Sequence, residues 1–315
     1  MNFIESSVRM RTASLLFALL SFATITGIAG AQTVVKFGYA PWPGVTVKTE
    51  IASQILTDLG YKTSKTQVGS AVIILQSIGA GKLDVDMASW RPSENTALDP
   101  LLKAGKVTLV AANIKGAHIG VAVPDYVWSR GVHSLADLHK YGSKFHHRIY
   151  GIEAGNSDNT LLKKAVNNNT YDLHGWKVVP SSTSGMLTEV KAKTKSHQWI
   201  AFLAWAPHWM NIVYNIKYLK DPKRIFGKNS VVYTVANPGF LAKNPNVRKF
   251  LKQMVIPIKA QNKWIYRYGY KSVKAPKVAR DWIKSNPKLI KKWLEGVTTA
   301  DGKMSGFEAV EKAVK

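Results

Sequence analysis

The stretch Phe202-Leu-Ala-Trp-Ala-Pro-His-Trp209 decides the predicted fold. The apolar run from Trp199 to Leu203 indicates a buried strand, and Pro207 ends it because proline has no N–H to donate to a neighbouring strand. Trp205 is therefore expected at the end of a strand, where open α/β sheets bind their ligands. We predict that ligand binding in this chain is organised around this strand end.

Two further tryptophans occupy the same kind of position. Trp42 follows the apolar run Val34–Ala40, and Trp90 follows the run Leu83–Ser89. Each of the three indoles has a proline within two residues, which stops the strand beside it. Three indoles at strand ends predict a cage of ring faces that binds a ligand, rather than a centre for chemical reaction.

Strand and helix patterns alternate along most of the chain, which predicts an α/β fold. The apolar spacing indicates strands at residues 34–40, 85–89, 107–112, 119–124, 149–152, 176–179, 199–205 and 231–236. It indicates helices at residues 46–59, 70–78, 95–104, 134–141, 157–166, 184–192, 245–254 and 276–293. We therefore expect a sheet with mainly parallel strands and helices on both faces, in which the last strand runs back.

The order of these elements predicts two lobes joined by a hinge. The first lobe is expected to comprise residues 32–116 together with residues 232–315, and the second lobe, residues 117–231, is inserted into it. The chain would cross between the lobes near Gly116–Val121 and again near Tyr233–Pro238. These two crossings are the predicted hinge.

The first 31 residues have the pattern of a cleaved secretory signal. Arg9 and Arg11 precede the apolar segment Leu15–Ile28, and Ala29–Ala31 provides small residues for signal peptidase. A transmembrane anchor is the alternative, but this apolar run is short and interrupted by polar residues. The chain has no cysteine, which excludes a lipid anchor and disulfide bonds. We expect a free periplasmic protein of a bacterium with two membranes.

The chain is strongly basic, with 44 Lys and Arg residues, 19 Asp and Glu residues and a net charge of +25. Such a balance is typical of proteins that bind polyanions, including nucleic acids. Here the basic residues are spread along predicted helices instead of forming a short basic arm. We therefore interpret the charge as a solvated surface and expect no nucleic-acid partner, with a secreted polyanion-binding protein as the alternative.

The motifs of common enzyme classes are missing from the sequence. It contains no Gly-x-Ser-x-Gly elbow, phosphate-binding loop or His-Glu-x-x-His pair. Glu153 and Asp158 flank the predicted cleft, but paired carboxylates without further context are usually surface or capping groups. The histidines lack partners at metal-ligand spacing. We expect neither catalysis nor a metal or other cofactor.

Residues 32–315 resemble the periplasmic substrate-binding proteins of quaternary-amine ABC importers, which bind choline, glycine betaine or proline betaine. The motifs that carry the resemblance are Gly38–Trp42, Asp84–Pro92, Gly151–Asn156, Trp205–Pro207 and Ala279–Gly296. The resemblance implies a type II periplasmic-binding-protein architecture, the two-lobe Venus flytrap. It also implies a monomeric receptor that delivers its ligand to a membrane permease driven by an ATPase.

The resemblance assigns Trp42 and Trp90 from one lobe, and Trp205 from the other, to a cage around the ligand. A quaternary ammonium has no N–H to donate, but indole faces attract its charge, and each desolvated contact supplies about 2 kcal/mol. Closure of the lobes would bring the three faces together. Asn156 matches the family position that hydrogen-bonds the ligand's polar end, and amides of the helix that follows could hold a carboxylate.

Two positions depart from the choline-binding members of the family. Their Trp-x-Asp sequence is Trp42–Gly44 here, so the Asp that would accept the choline hydroxyl is missing. A further aromatic wall, usually Tyr, falls on Ile119, with His118 beside it near the crossing. Gly44 would allow backbone approach to a carboxylate, which favours a betaine-like ligand. The remaining alternative is a receptor for another cationic solute, such as an amino acid or polyamine, which would need carboxylates in the cleft.

Overall fold

The computed structural model describes residues 34–315, so the predicted signal at residues 1–31 lies outside the described part. In this part, the strands are β1 (Val34–Tyr39), β2 (Lys62–Gln67), β3 (Val85–Arg91), β4 (Thr108–Pro124), β5 (Arg148–Tyr150), β6 (Lys177–Val179), β7 (Ala201–Ala206), β8 (Ile216–Tyr218) and β9 (Ser230–Ala236). They form a sheet in the order β2-β1-β3-β9-β4-β7-β5-β6, with β8 paired to β4.

Helices connect most of the strands and form the whole C-terminal part. They are α1 (Pro43–Asp58), α2 (Ala71–Gly79), α3 (Asn95–Lys103), α4 (Asp125–Trp128), α5 (Ser157–Asn167), α6 (Thr183–Lys195), α7 (Met210–Val213), α8 (Pro238–Lys243), α9 (Pro245–Gln253), α10 (Ile258–Ile265), α11 (Ala275–Ser285), α12 (Pro287–Trp293) and α13 (Gly306–Ala313). Helical turns of 3-10 or π geometry occupy Leu135–Tyr141, Thr170–Asp172 and Tyr266–Tyr270. Among residues 34–315, no helix combines the length and apolar composition needed to cross a lipid bilayer.

The sheet is mixed, whereas the sequence predicted mainly parallel strands. β1 pairs in parallel with β2 and β3, and β5 pairs in parallel with β6 and β7. The two long strands β4 and β9 are antiparallel to each other and to their other neighbours. The strand at 231–236 does run back, as predicted, and its antiparallel pairing is what makes the sheet mixed.

β4 is one continuous strand where the sequence predicted two. Its first part pairs with β9, as far as Ala117 opposite Ser230, and its second part begins to pair with β7 at His118. The register shifts between Ile114 and Ala117, and Gly116 within this irregularity has a φ of 75°. Glycine adopts this left-handed conformation without a steric cost. β4 thus continues from one half of the sheet into the other by way of a bend.

A buried polar network fastens β3, β4 and β9 together near this bend. Lys48, which is fully buried on α1, donates from Nζ to the Met87 carbonyl at 2.8 Å and to Asn113 Oδ1 at 3.0 Å. Asn113 Nδ2 donates to the same Met87 carbonyl at 2.9 Å and to Thr234 Oγ1 at 2.8 Å. Because buried polar groups need partners, this network specifies how the three strands meet.

Two other elements differ from the sequence-based expectation. β2 was not predicted, because its residues Lys62–Gln67 are polar and only partly buried at the edge of the sheet. The helix expected over residues 276–293 is divided at Asn286, between α11 and α12. Pro287 explains the division, since the residue before a proline is disfavoured in the helical conformation.

Candidate functional site

The indoles of Trp42, Trp90 and Trp205 meet at one cavity, and we call these three residues the tryptophan cage. The ring centroids of Trp42 and Trp90 are 6.1 Å apart, at an interplanar angle of 66°. Those of Trp42 and Trp205 are 6.4 Å apart, at 81°. Both pairs are edge-to-face contacts, the arrangement that aromatic quadrupoles favour. Trp42 thus stands between the other two rings.

Two of the three indoles lie near the end of a strand, and the third caps a helix. Trp42 immediately precedes α1, while Trp90 and Trp205 are the penultimate residues of β3 and β7. Cis peptide bonds join the last residue of each of these two strands to the proline that follows. Ile119, on β4, is the cross-strand partner of Trp205, and its side chain lines the cavity next to that ring. Ile119 therefore provides an aliphatic wall of the cavity.

Asn156 also lines the cavity, but its side chain caps a helix at the same time. Its Oδ1 accepts the backbone N–H of Asp158 at 2.7 Å, at the start of α5. An N-cap satisfies an amide that has no partner within the helix. The capping role considered from the sequence is therefore present, and it occupies the oxygen of the amide.

Gly44 and His118 lie away from the cavity wall. A β-carbon on Gly44 would lie 2.1 Å from Cζ3 of Trp42, so the indole fills the space that a side chain would need. Gly44 thus supports the cage from behind, and the expected approach of its backbone to a ligand carboxylate does not fit this placement. His118 is exposed and packs edge-to-face on Tyr218, with ring centroids 4.6 Å apart.

Three buried carboxylates, Asp86, Glu94 and Asp158, line the same cavity, and we call them the acidic wall. Asp86 accepts the backbone N–H of Ala88 at 3.0 Å, and Glu94 accepts the Ser89 hydroxyl at 2.7 Å. Asp158 comes from α5, whereas Asp86 lies on β3 and Glu94 just after it. Asp158 was expected to be a surface or capping group, yet its side chain is almost completely buried.

Burial perturbs the protonation of the acidic wall. Loss of hydration raises the pKa of Asp86 and that of Asp158 to about 7, although hydrogen bonds partly oppose the effect. The pKa of Glu94 is raised well above its ordinary value, first by burial and then by the charge of Asp86. Lys48, behind Asp86, has a pKa lowered to about 7 by burial. Burial therefore favours the uncharged form of each of these groups.

The polar end of the cavity contains two atoms without hydrogen-bond partners. Oδ1 of Asp158 and Oγ1 of Thr183 are both buried and unpaired, and both residues line the cavity. The backbone N–H of Thr183, the first residue of α6, donates to Glu153 Oε1 at 2.8 Å. Within the described chain, no three His, Asp or Glu side chains form a group that could hold a metal ion.

A wider cavity adjoins the first one and shares Glu153 and Thr183 with it. Trp209, Pro43 and residues 268–269 line this wider cavity. The Trp209 ring lies 5.3 Å from that of Tyr270. A β-carbon on Gly269 would come within 2.7 Å of Trp209 Nε1. The indole of Trp209 therefore packs directly against the helical turn Tyr266–Tyr270.

Known proteins share both sequence and structure with this chain. An uncharacterised protein of Chromohalobacter salexigens is 38% identical over 151 residues, which cover 48% of this chain and 96% of that protein. An ABC-transporter choline-binding protein, solved in complex with choline, is 31% identical with a TM-score of 0.87, covering 90% of this chain and 98% of that one. Lactococcal OpuAC in complex with glycine betaine is 28% identical with a TM-score of 0.76, covering 83% and 99%.

These similarities confirm the α/β fold with the two-lobe architecture of periplasmic binding proteins. They are similarities to receptors rather than to enzymes, as the sequence analysis expected. The family model of the substrate-binding domain of ABC-type glycine betaine transport systems matches residues 33–285, which is most of the chain. The chain therefore belongs to this family of substrate-binding domains.

Proposed function

We propose that the cavity bounded by the tryptophan cage binds the ammonium end of a quaternary amine for delivery to an ABC permease. The observation that carries this proposal is the meeting of three indoles at one cavity, with Trp42 edge-to-face with both others. A methylated ammonium offers no N–H, so ring faces and burial of its methyl groups are the interactions open to it. Choline and glycine betaine, the ligands of the two similar structures, are both of this kind.

The acidic wall supports a cationic ligand. Asp86, Glu94 and Asp158 line the cavity, and among its lining residues in the described chain there is no Lys, Arg or His. A positive charge in the cavity would lower the free energy of ionising these buried carboxylates. The cavity is therefore electrostatically suited to a cation.

Closure of two lobes is the proposed means of capture. We place the lobes at residues 32–116 with 232–315, and at residues 117–231. This division takes Trp42 and Trp90 from one lobe and Trp205 from the other, so that a ligand held by all three rings stabilises the closed form. The bend at Gly116 in β4 supports a hinge there.

The proposed setting is the periplasm, reached by means of a cleaved signal at residues 1–31. There the protein would act as a monomer that docks on the membrane permease, whose ATPase drives uptake. Without cysteine, the sequence has no residue to which the lipid of a lipoprotein could be attached. Size-exclusion chromatography tests whether the protein is a monomer. Sequencing of the exported protein's N-terminus tests whether the signal is cleaved.

A second candidate ligand class is a cation with ordinary N–H donors, such as a polyamine or a basic amino acid. The acidic wall favours it, because carboxylates are the usual partners of such donors. The cage distinguishes the classes, since a primary ammonium pairs well with carboxylates alone, whereas a methylated one depends on the rings. A panel of both kinds of ligand therefore decides between them.

Tryptophan fluorescence provides the test, since the cage rings would be covered by ligand. Folded, ligand-free protein is titrated with choline, glycine betaine, proline betaine and carnitine, and separately with spermidine and lysine. We expect saturation with at least one quaternary amine and none with spermidine or lysine. Saturation only with the latter pair supports the second class. No saturation with any of the six contradicts the proposal.

A further inference from the structure

No ion pair within residues 34–315 neutralises the acidic wall. Asp86, Glu94 and Asp158 are 2%, 5% and 5% exposed, so little water reaches them to stabilise a negative charge. The Lys48 ammonium lies behind Asp86 but donates to two amide carbonyl oxygens rather than to a carboxylate. When fully ionised, the wall would therefore carry more negative charge than its surroundings can balance.

The rest of the cavity surface provides no cation either. No titratable residue lines it from α2, β4, α6 or β7, whose contributions are Ala71, Ile74, Ile119, Thr183 and Trp205. Glu153 adds a fourth carboxylate, which is partly exposed and accepts the Thr183 N–H at 2.8 Å. Within the described chain, each titratable group that lines this cavity is thus an acid.

The three carboxylates of the acidic wall influence one another's ionisation. Carboxylates that share a buried site do not all ionise together, because each negative charge raises the pKa of the others. Burial raises the pKa of all three groups, and the charges of Asp86 and Asp158 raise the pKa of Glu94 further. Without a ligand, the wall therefore retains protons at pH values where exposed carboxylates have lost theirs.

The ligand of the proposed function would bring a positive charge into this cavity. A quaternary nitrogen carries no proton, so its charge is the same at every pH. An opposite charge within about 6 Å lowers the pKa of a carboxyl group by roughly 1 to 3, and the tryptophan cage and the acidic wall line one cavity. The charge of a bound ligand therefore favours ionisation of the wall.

We propose that the ligand takes the place of protons on the acidic wall, so that binding releases protons to the solvent. The O–H bond of a carboxyl group breaks, its proton passes to the buffer, and the carboxylate left behind balances the ammonium charge. Asp86, from β3, and Asp158, from α5, release these protons. Glu94, whose ionisation both neighbours oppose, keeps its proton longest. This inference rests on the proposed function.

Proton release is measured directly by isothermal titration of the wild-type protein in two buffers of different ionisation enthalpy. The probes are choline, glycine betaine, proline betaine and carnitine, none of which gains or loses a proton near neutral pH. At about pH 6.5 we expect release of about half a proton or more per bound ligand. Binding without release overturns the inference and leaves the proposed function standing. If none of the four probes binds to folded protein, the proposed function itself fails.

The affinity for the same probes gives a second measure. Since protons compete with the ligand for the wall, the affinity should fall as the pH is lowered through the range near 7 in which the free wall takes up protons. We expect a loss of about fivefold or more between about pH 7.5 and about pH 5.5, against a limit of about tenfold per pH unit for each proton. An affinity that is constant between these values contradicts the exchange.

Variants assign the released protons to the acidic wall. Asp86→Asn and Asp158→Asn each keep the shape of the side chain but cannot titrate, so each should reduce the proton release and the pH dependence by about half. Glu189→Gln, at an exposed position on α6, removes a carboxylate outside the cavity and should leave both unchanged.

Undiminished release in both cavity variants would assign the protons to another group, such as Lys48, and would overturn the role of the wall. Circular dichroism confirms that each variant is folded. If neither variant folds, the two wild-type measurements decide the matter.

Discussion

The indole of Trp42 meets the indole of Trp205 edge to face, with ring centroids 6.4 Å apart. Trp42 follows β1, in the part of the sheet that contains β2 and β3, and Trp205 lies on β7, in the part that contains β5 and β6. The contact therefore joins the two halves of the sheet at the cavity. Under the proposed function, ligand binding at the cage is coupled to the relative position of the two halves, because this ring pair takes one ring from each.

Removal of Trp205 should weaken ligand binding at least tenfold. Trp205→Ala deletes one ring face, and a desolvated cation–π contact supplies about 2 kcal/mol, which is more than a factor of ten. The measurement is a fluorescence or calorimetric titration with choline. Trp199→Phe is the control, since Trp199 packs on Tyr141 and Phe145 and does not line the cavity. An affinity of Trp205→Ala equal to that of the control removes this ring from the cage.

Gly44→Ala should weaken binding without adding any group to the cavity. Its β-carbon would lie 2.1 Å from Trp42 Cζ3 and 2.8 Å from Gln261 Nε2, so the indole has to move. We expect a loss of about tenfold in choline affinity, because displacement of Trp42 disturbs both ring contacts. Gly79→Ala is the matched control, since its nearest neighbours would be 3.4 Å away. Wild-type affinity in Gly44→Ala would show that the position of Trp42 does not matter.

Much of the fold follows from the sequence because its strands are apolar and end at prolines. β1, β3, β7 and β9 were predicted to within two residues at each end, since buried strands are recognisable from their composition. β2 lacks this signal because an edge strand needs little apolar surface. The continuity of β4 could not be predicted either, since it depends on pairing with strands distant in the sequence.

The meeting of the three indoles at one cavity was predictable from the sequence, and the presence of Asp86 beside them could have been predicted too. Asp86, Ala88 and Trp90 alternate along β3 and all line the cavity, as side chains two residues apart on a strand share a face. This period, counted back from Trp90, places Asp86 on the same face of β3. Asp158 carried no such signal, because the partner of its carboxyl group is Ser93, which is distant in the sequence. Only the tertiary structure reveals it.

The stability of the ligand-free protein should depend on pH through Asp158. Its pKa rises from 3.8 unfolded to about 7 folded, so the folded form retains a proton that the unfolded chain loses between these values. The stability this proton provides is complete below about pH 4 and is lost as the pH rises through 7. Relative to wild type, Asp158→Asn should therefore gain stability between pH 5 and 7, by at most about 1.4 kcal/mol per pH unit.

Urea unfolding at several pH values measures this difference. Comparison with wild type is essential because other groups titrate in the same range. Asp86 acts in the same direction as Asp158, whereas His208 acts in the opposite one, since burial lowers its pKa to about 3. Glu189→Gln, with an exposed side chain, should run parallel to wild type. If the free energy of unfolding of Asp158→Asn also changes with pH in parallel with that of wild type, Asp158 is not protonated in the folded protein at pH 5.

Gly269→Val should hold the two proposed lobes apart and weaken binding from outside the cage. A β-carbon there would lie 2.7 Å from Trp209 Nε1 and 3.0 Å from Pro43 Cγ, so the added side chain separates Trp209 from the turn Tyr266–Tyr270. Because ligand affinity includes the free energy of closure, a destabilised closed form lowers the apparent affinity. We expect at least a fivefold loss for choline, and a radius of gyration with ligand that stays near the ligand-free value in X-ray scattering. Gly79→Ala is the control. If Gly269→Val shows the compaction and the affinity of wild type, Trp209 makes no closure contact, and the lobe boundaries that predict this contact are wrong.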